Sequence, residues 1–149
     1  MSSPAPGPAL GSGFILDPQL ANDTYEVGRM GLSRVLLMND ARFPWIILVP
    51  ERSGMAELID LSPSDRSQLW DEIARTSDAL KSMYGPDKLN VAALGNMVRQ
   101  LHVHVIARFA SDPAWPRPVW GSGAPIAYEP HQLGILAARL DKALGIEQD

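Results

Sequence analysis

Gly95-Asn96-Met97-Val98-Arg99-Gln100-Leu101-His102-Val103-His104-Val105-Ile106-Ala107-Arg108 is the stretch on which the reading of the fold turns. Gly95-Asn96 marks a turn, and Leu101 to Arg108 then reads as a strand of mostly apolar residues. Side chains alternate across a strand, so Leu101, Val103 and Val105 point into a core while Gln100, His102 and His104 point the other way. Successive members of that polar row stand about 6.6–6.8 Å apart. Burying them without partners costs a few kcal/mol each, so the row is expected to face a polar cavity, a ligand or water. Two of the chain's three histidines fall in this single His-x-His, which sets it apart from an incidental histidine on a half-exposed edge strand.

Working outward, Gly31 to Met38 and Trp45 to Val49 read as two strands rich in branched apolar residues, the second closed by Pro50. The polar link Asn39-Asp40-Ala41-Arg42 makes them an antiparallel hairpin. Ser62 can cap a helix, Pro63 suits its first position, and Asp65 is placed to complete a capping box. Leu69, Ile73, Thr76, Leu80 and Met83 then fall on one helical face, and Gly85-Pro86 ends it. Leu89 to Leu94 reads as a further strand, and Pro130 to Leu144 as a C-terminal helix with Leu133, Leu136, Ala137, Leu140 and Leu144 on one side. Strand pairs, a long helix, more strands and a final helix give an α+β fold rather than an alternating α/β one.

The chain has 149 residues, 46% of them hydrophobic, enough for one domain with a sizeable core. Residues 1–13 (Pro, Gly, Ser and Ala for the most part) are expected to form a flexible tail before a domain spanning 14–149. Thirteen basic and seventeen acidic residues leave a net charge of −4, which argues against a nucleic-acid or anionic-membrane partner. With no cysteine, disulfides and thiolate chemistry are excluded, and a reducing cytoplasm is the expected setting. The N-terminus lacks the basic start and apolar stretch of a secretory signal, and no apolar run reaches the ~20 residues a membrane span needs.

Two imidazoles two apart on a strand can also share one zinc ion. That reading needs a third ligand. The position four after His104 is Arg108, so only His131 of the C-terminal helix is left to approach. No metal and no cofactor is expected. Trp115 and Trp120 lie in a proline-rich segment, where packing a loop onto the core is a more common use than stacking on a base. Arg99, Arg108 and Arg117 are expected to be solvated, with at most one of Arg99 and Arg108 meeting phosphate.

The segment Gly95 to Ile106 resembles the signature of the histidine-triad (HIT) superfamily, a Gly-Gln-Ser-like turn followed by His-φ-His-φ-His-φ-φ, where φ is apolar. The hairpin ending Ile46-Ile47-Leu48-Val49-Pro50 resembles that family's first core hairpin, and the helix opened by Ser62-Pro63 stands where the family has its long helix. The likeness spans roughly residues 14–110. It implies an antiparallel sheet of about five strands with one long helix and a C-terminal helix.

By the same resemblance, His102 is the nucleophile that attacks the α-phosphorus of a nucleotide or dinucleotide. Water then hydrolyses the nucleotidyl-histidine. A nearby backbone carbonyl is expected to hold the other imidazole nitrogen of His102. His104 is expected to donate to a phosphate oxygen or the bridging atom, and Gln100 to position a phosphate oxygen without acting as an acid. Gly95 and Asn96 are candidates for the non-bridging oxygens, and Asp40 and Asn90 for ribose hydroxyls.

Three positions depart from the family pattern. Gln100 replaces the first triad histidine, Trp45 falls near a fourth histidine, and Met97 stands at a serine that often serves the leaving group. Dinucleoside polyphosphate-type substrates are therefore favoured, and a nucleotide-binding protein with impaired catalysis is the alternative. A metal-binding β-rich enzyme is a less favoured one. The family's habit of dimerisation implies a homodimer built on residues 62–84 and 89–94.

Overall fold

A computed structural model describes residues 13–146, so the expected N-terminal tail lies, apart from Gly13, outside the described residues. Five antiparallel strands form one sheet in the order β1-β2-β3-β5-β4. They are β1 (Thr24–Arg29), β2 (Ser33–Met38), β3 (Trp45–Pro50), β4 (Lys88–Ala92) and β5 (Val103–Arg108). The helices are α1 (Pro18–Asp23), α2 (Pro63–Tyr84) and α3 (Pro130–Leu144). The fold is the expected α+β one.

Period-two alternation divides the core into two layers. Val35 and Leu37 of β2, Ile46 and Leu48 of β3, and Val103, Val105 and Ala107 of β5 pack against α2 and α3. Leu36, Trp45, Ile47, Val49 and Ile106 face the other way and are covered by Leu20 of α1 and by Ala114 and Val119 of the proline-rich segment. Every residue of β3 and β5 is buried, because these central strands are covered on both faces.

The signals at the ends of α2 act as read, with one exception. Ser62 Oγ accepts from the Asp65 N–H at 3.1 Å, and Gly85 closes the helix at φ 58°, ψ 50°, a left-handed conformation that glycine adopts without a Cβ clash. The reciprocal half of the capping box is not made. The Asp65 carboxylate reaches out of the helix to Arg52, with Arg52 Nε 2.8 Å away. Midway along α2, the buried Glu72 carboxylate accepts the N–H groups of Leu32 (2.7 Å) and Ser33 (3.0 Å), pinning the helix to the β1–β2 turn.

The structure departs from the sequence reading at element boundaries and in one edge strand. The strand at the motif starts at Val103, not Leu101, and β4 ends at Ala92, not Leu94. Leu101 N–H donates to Met55 O at 3.0 Å, a bond that draws the chain away from β4 and into the loop after β3. β1 was not foreseen. Its sequence Thr-Tyr-Glu-Val-Gly-Arg has little apolar periodicity, because it is an edge strand with a register shift between Glu26 and Gly28.

Candidate active site

His104 sits in the sheet opposite Ile47 of β3 and Ala92 of β4, and His102 lies just before β5. The two imidazoles meet edge to face, with centroids 4.9 Å apart, and both residues are almost fully buried. Their hydrogen bonds decide their protonation. His102 Nδ1 lies 2.7 Å from the carbonyl oxygen of Gln100, which can only accept. Nδ1 therefore carries a proton, and in the neutral ring it is Nε2 that has the lone pair. His104 is the reverse case. The indole Nε1–H of Trp45, which can only donate, points at His104 Nδ1 at 3.0 Å. His104 therefore carries its proton on Nε2. Burial, and secondarily the neighbouring His102, hold its pKa down at about 3.

Aromatic rings complete the setting. Trp120 packs edge-on against His104 at 4.9 Å between centroids and against Trp45 at 5.9 Å. Trp45 and Trp120, both in contact with His104, line with Asp23, Met38, Asn39 and Asp40 a pocket of about 360 Å³ whose lining includes neither histidine. A second pocket, of about 240 Å³, is lined by Leu58, Ile59, Leu94, Gly95, Gln100 and His102.

The remaining residues of the sequence reading separate. The Gln100 amide is committed to the chain's own backbone. Its Oε1 accepts from Asp17 N–H at 2.9 Å and its Nε2 donates to Ile15 O at 2.9 Å. Gln100 thus latches the segment before α1 to the motif with its Oε1 and one Nε2 hydrogen, and it lines the same pocket as His102. Asp40 Oδ1 accepts from Arg42 N–H, Arg42 Nε and Ile126 N–H, while Oδ2 accepts from Arg42 Nη2. Burial pushes its pKa up, but the Arg42 side chain and these backbone donors outweigh it and leave the carboxyl below its ordinary value. Asp40 stays at the wall of the larger pocket. Asn90 lines neither pocket, because its Oδ1 accepts from Arg108 Nη1 at 2.8 Å. Gly95, at φ 77°, turns the chain at the rim of the smaller pocket, and Asn96 and Met97 follow it into solvent, Met97 being 96% exposed.

Arg108 corrects the expectation of a solvated arginine. Its side chain is 2% exposed and pairs with Asp112, 4% exposed, at 2.8 Å. It also donates to Arg117 O and lies over the rings of Phe43 and Trp115. Trp115 therefore covers Arg108 with one face while staying 37% exposed, whereas Trp120 reaches His104. The only sequence signal for Trp120 was a tryptophan in a proline-rich loop. His131 is exposed in the first turn of α3, and among the described residues no group of three or more His, Cys, Asp or Glu is arranged around a metal position.

A model of the HIT domain matches residues 19–111. A histidine-triad protein from Bradyrhizobium japonicum is 46% identical, with a TM-score of 0.85 over 88% of this chain and 98% of that one. The chain belongs to the HIT family. Other HIT proteins of known structure are similarly close. One from Sinorhizobium meliloti has 44% identity and a TM-score of 0.86 over 89% of this chain and 98% of its own. One from Marinobacter aquaeolei has 45% identity and a TM-score of 0.86 over 89% and 96%. Coverage this extensive carries the HIT likeness past the matched domain and into the proline-rich segment and α3. A search of curated proteins gives no match.

Proposed function

We propose that the protein is a nucleotide hydrolase or transferase that works at the α-phosphate through a covalent nucleotidyl-histidine on His102. The HIT family supports nucleotide-binding hydrolase and transferase activity in general. The observation that carries the finer reading is the bond from His102 Nδ1–H to Gln100 O, which leaves an Nε2 lone pair at the edge of a pocket. That lone pair forms the bond to phosphorus as the bond to the leaving oxygen breaks. Water then adds to phosphorus, the P–N bond breaks, and neutral His102 returns as a nucleoside monophosphate and a proton leave. His104, a neutral Nε2–H donor, stabilises the charge that builds on a phosphate oxygen. The pocket of about 360 Å³ is large enough for a nucleoside, with the half-buried Trp120 offered to the base. Incubation with a dinucleotide labelled in its α-phosphate, followed by denaturation at alkaline pH, is expected to yield an acid-labile protein adduct at His102. Tight nucleotide binding with no adduct would favour the catalytically impaired alternative.

Met97 offers no hydroxyl to protonate a leaving group. Among the described residues lining the smaller pocket there is no lysine or arginine either. A leaving group that is stable as a free anion is therefore favoured. Dinucleoside polyphosphates should turn over at least about tenfold faster than nucleoside phosphoramidates, the scale of one missing proton donor or more. Parallel assays check this, and faster phosphoramidate turnover would overturn it.

A homodimer through β4 and α2 is part of the proposal. β4 is an edge strand, and Val91 on it, Leu94 just after it and Trp70 on α2 are all exposed apolar side chains. Sedimentation equilibrium is expected to give twice the chain mass, and Val91→Pro to shift it toward the monomer. A monomeric wild type would remove this part of the proposal.

A further inference from the structure

The contact between Trp45 and His104 has a consequence beyond packing. We propose that Trp45 is a positioning residue that locks His104 in its Nε2–H tautomer, making it a permanently neutral hydrogen-bond donor toward the substrate phosphate. The inference rests on the proposed role of His104, but its physical core does not depend on turnover.

An imidazole facing solvent, or facing another histidine, can exchange tautomers or become a cation, because its partner can both donate and accept. An indole cannot. Trp45 Nε1 has a hydrogen and no available lone pair, and it meets His104 Nδ1 at 3.0 Å in a buried setting. A proton on His104 Nδ1 would set two N–H groups head to head with no water to separate them. Both the other tautomer and the imidazolium are thereby disfavoured. The ring is fixed in orientation as well. Trp120 closes one side of it and His102 the other, each at 4.9 Å between centroids. Among the described residues, those set against His104 are His102 from its own segment, Trp45 and Ile47 of β3, Ala92 of β4 and Trp120 of the proline-rich segment. His102 is the one titratable group among them.

Trp45 falls near where the family resemblance places a fourth histidine. A histidine there would let His104 change tautomer, whereas an indole commits it. His104 then supplies a directed hydrogen bond at every working pH, but not a positive charge.

The test is nitrogen-15 NMR of the full chain labelled at histidine, followed from pH 8 to pH 5. His104 Nδ1 is expected to keep the shift of an unprotonated ring nitrogen and Nε2 that of a protonated one throughout. Conversion to the imidazolium above pH 5, or a proton on Nδ1, would overturn the proposal. Trp45→Phe keeps a ring and removes the donor. In that variant His104 is expected to populate both tautomers and begin to titrate within the same range. With a nucleotide substrate, kcat is expected to fall about tenfold with less change in KM, the scale of one lost orienting hydrogen bond. A variant whose His104 spectrum matches the wild type would also overturn it. The wild-type spectrum decides the matter should the variant fail to fold. Because that spectrum needs no turnover, a missing His102 adduct would strike the proposed reaction and leave the tautomer lock standing.

Discussion

Replacing His102 with alanine is expected to lower turnover by about 10⁴-fold or more, the scale seen when a covalent nucleophile is removed, and to leave no trapped adduct. The magnitude follows from the absence of a substitute. His104 lies alongside at 4.9 Å, but its Nδ1 lone pair is occupied by the Trp45 indole and its Nε2 carries the proton. The Gln100 amide is engaged with Ile15 and Asp17. Neither can take over the attack. The fold should persist, since the truncation removes one hydrogen bond to a backbone carbonyl, about 1 kcal/mol, plus a modest packing loss. Circular dichroism and a thermal melt near that of the wild type, alongside the lost activity, make the comparison clean. An adduct retained in His102→Ala would place the nucleophile elsewhere.

Arg108→Met is expected to have the largest effect on stability, about 3–5 kcal/mol, read from the shift of the urea midpoint. The methionine fills part of the space between Phe43 and Trp115 but leaves a buried carboxylate at Asp112 and an unpaired carbonyl at Asn90. Removing one partner of a buried ion pair costs more than removing both, so adding Asp112→Asn should restore part of the loss.

The same pair sets a pH dependence. Burial alone would raise the Asp112 carboxyl, but the Arg108 side chain and the N–H groups of Phe109, Ala114 and Trp115 bring it from 3.8 down to about 2. A carboxyl whose folded pKa lies below its unfolded one stabilises the fold above the unfolded value and loses that contribution as pH falls toward the folded one. Roughly 2 kcal/mol should therefore disappear between about pH 4 and pH 2 in the wild type. A weaker dependence across that window is expected in Arg108→Met, and an unchanged one would remove the Arg108 interaction as the cause.

Much of the frame was legible along the chain because its causes are local. Ser62, Pro63 and Gly85 bound α2 through backbone groups within a few residues, and the alternation Val103-His104-Val105 separates core from site by strand geometry alone. The histidine pair and the family likeness were legible for the same reason, being a matter of spacing.

The tertiary structure decided which partner each polar group took. Gln100 finds its partners 83 and 85 residues away, and His104 finds Trp45 at a separation of 59. Arg108, which sequence rules place in solvent, is buried because Asp112, Asn90 and the Arg117 carbonyl converge on its guanidinium. Trp120 enters the site for a similar reason, since the path of a proline-rich loop follows from the surface it covers. A donor's choice depends on which acceptors folding brings within 3 Å and which are already taken, and a local pattern holds neither. The sequence thus determined that two imidazoles stand together on one face of a sheet. Only the folded chain decided that one keeps a free Nε2 lone pair and the other a fixed Nε2 proton, because that follows from a carbonyl that can only accept and an indole that can only donate.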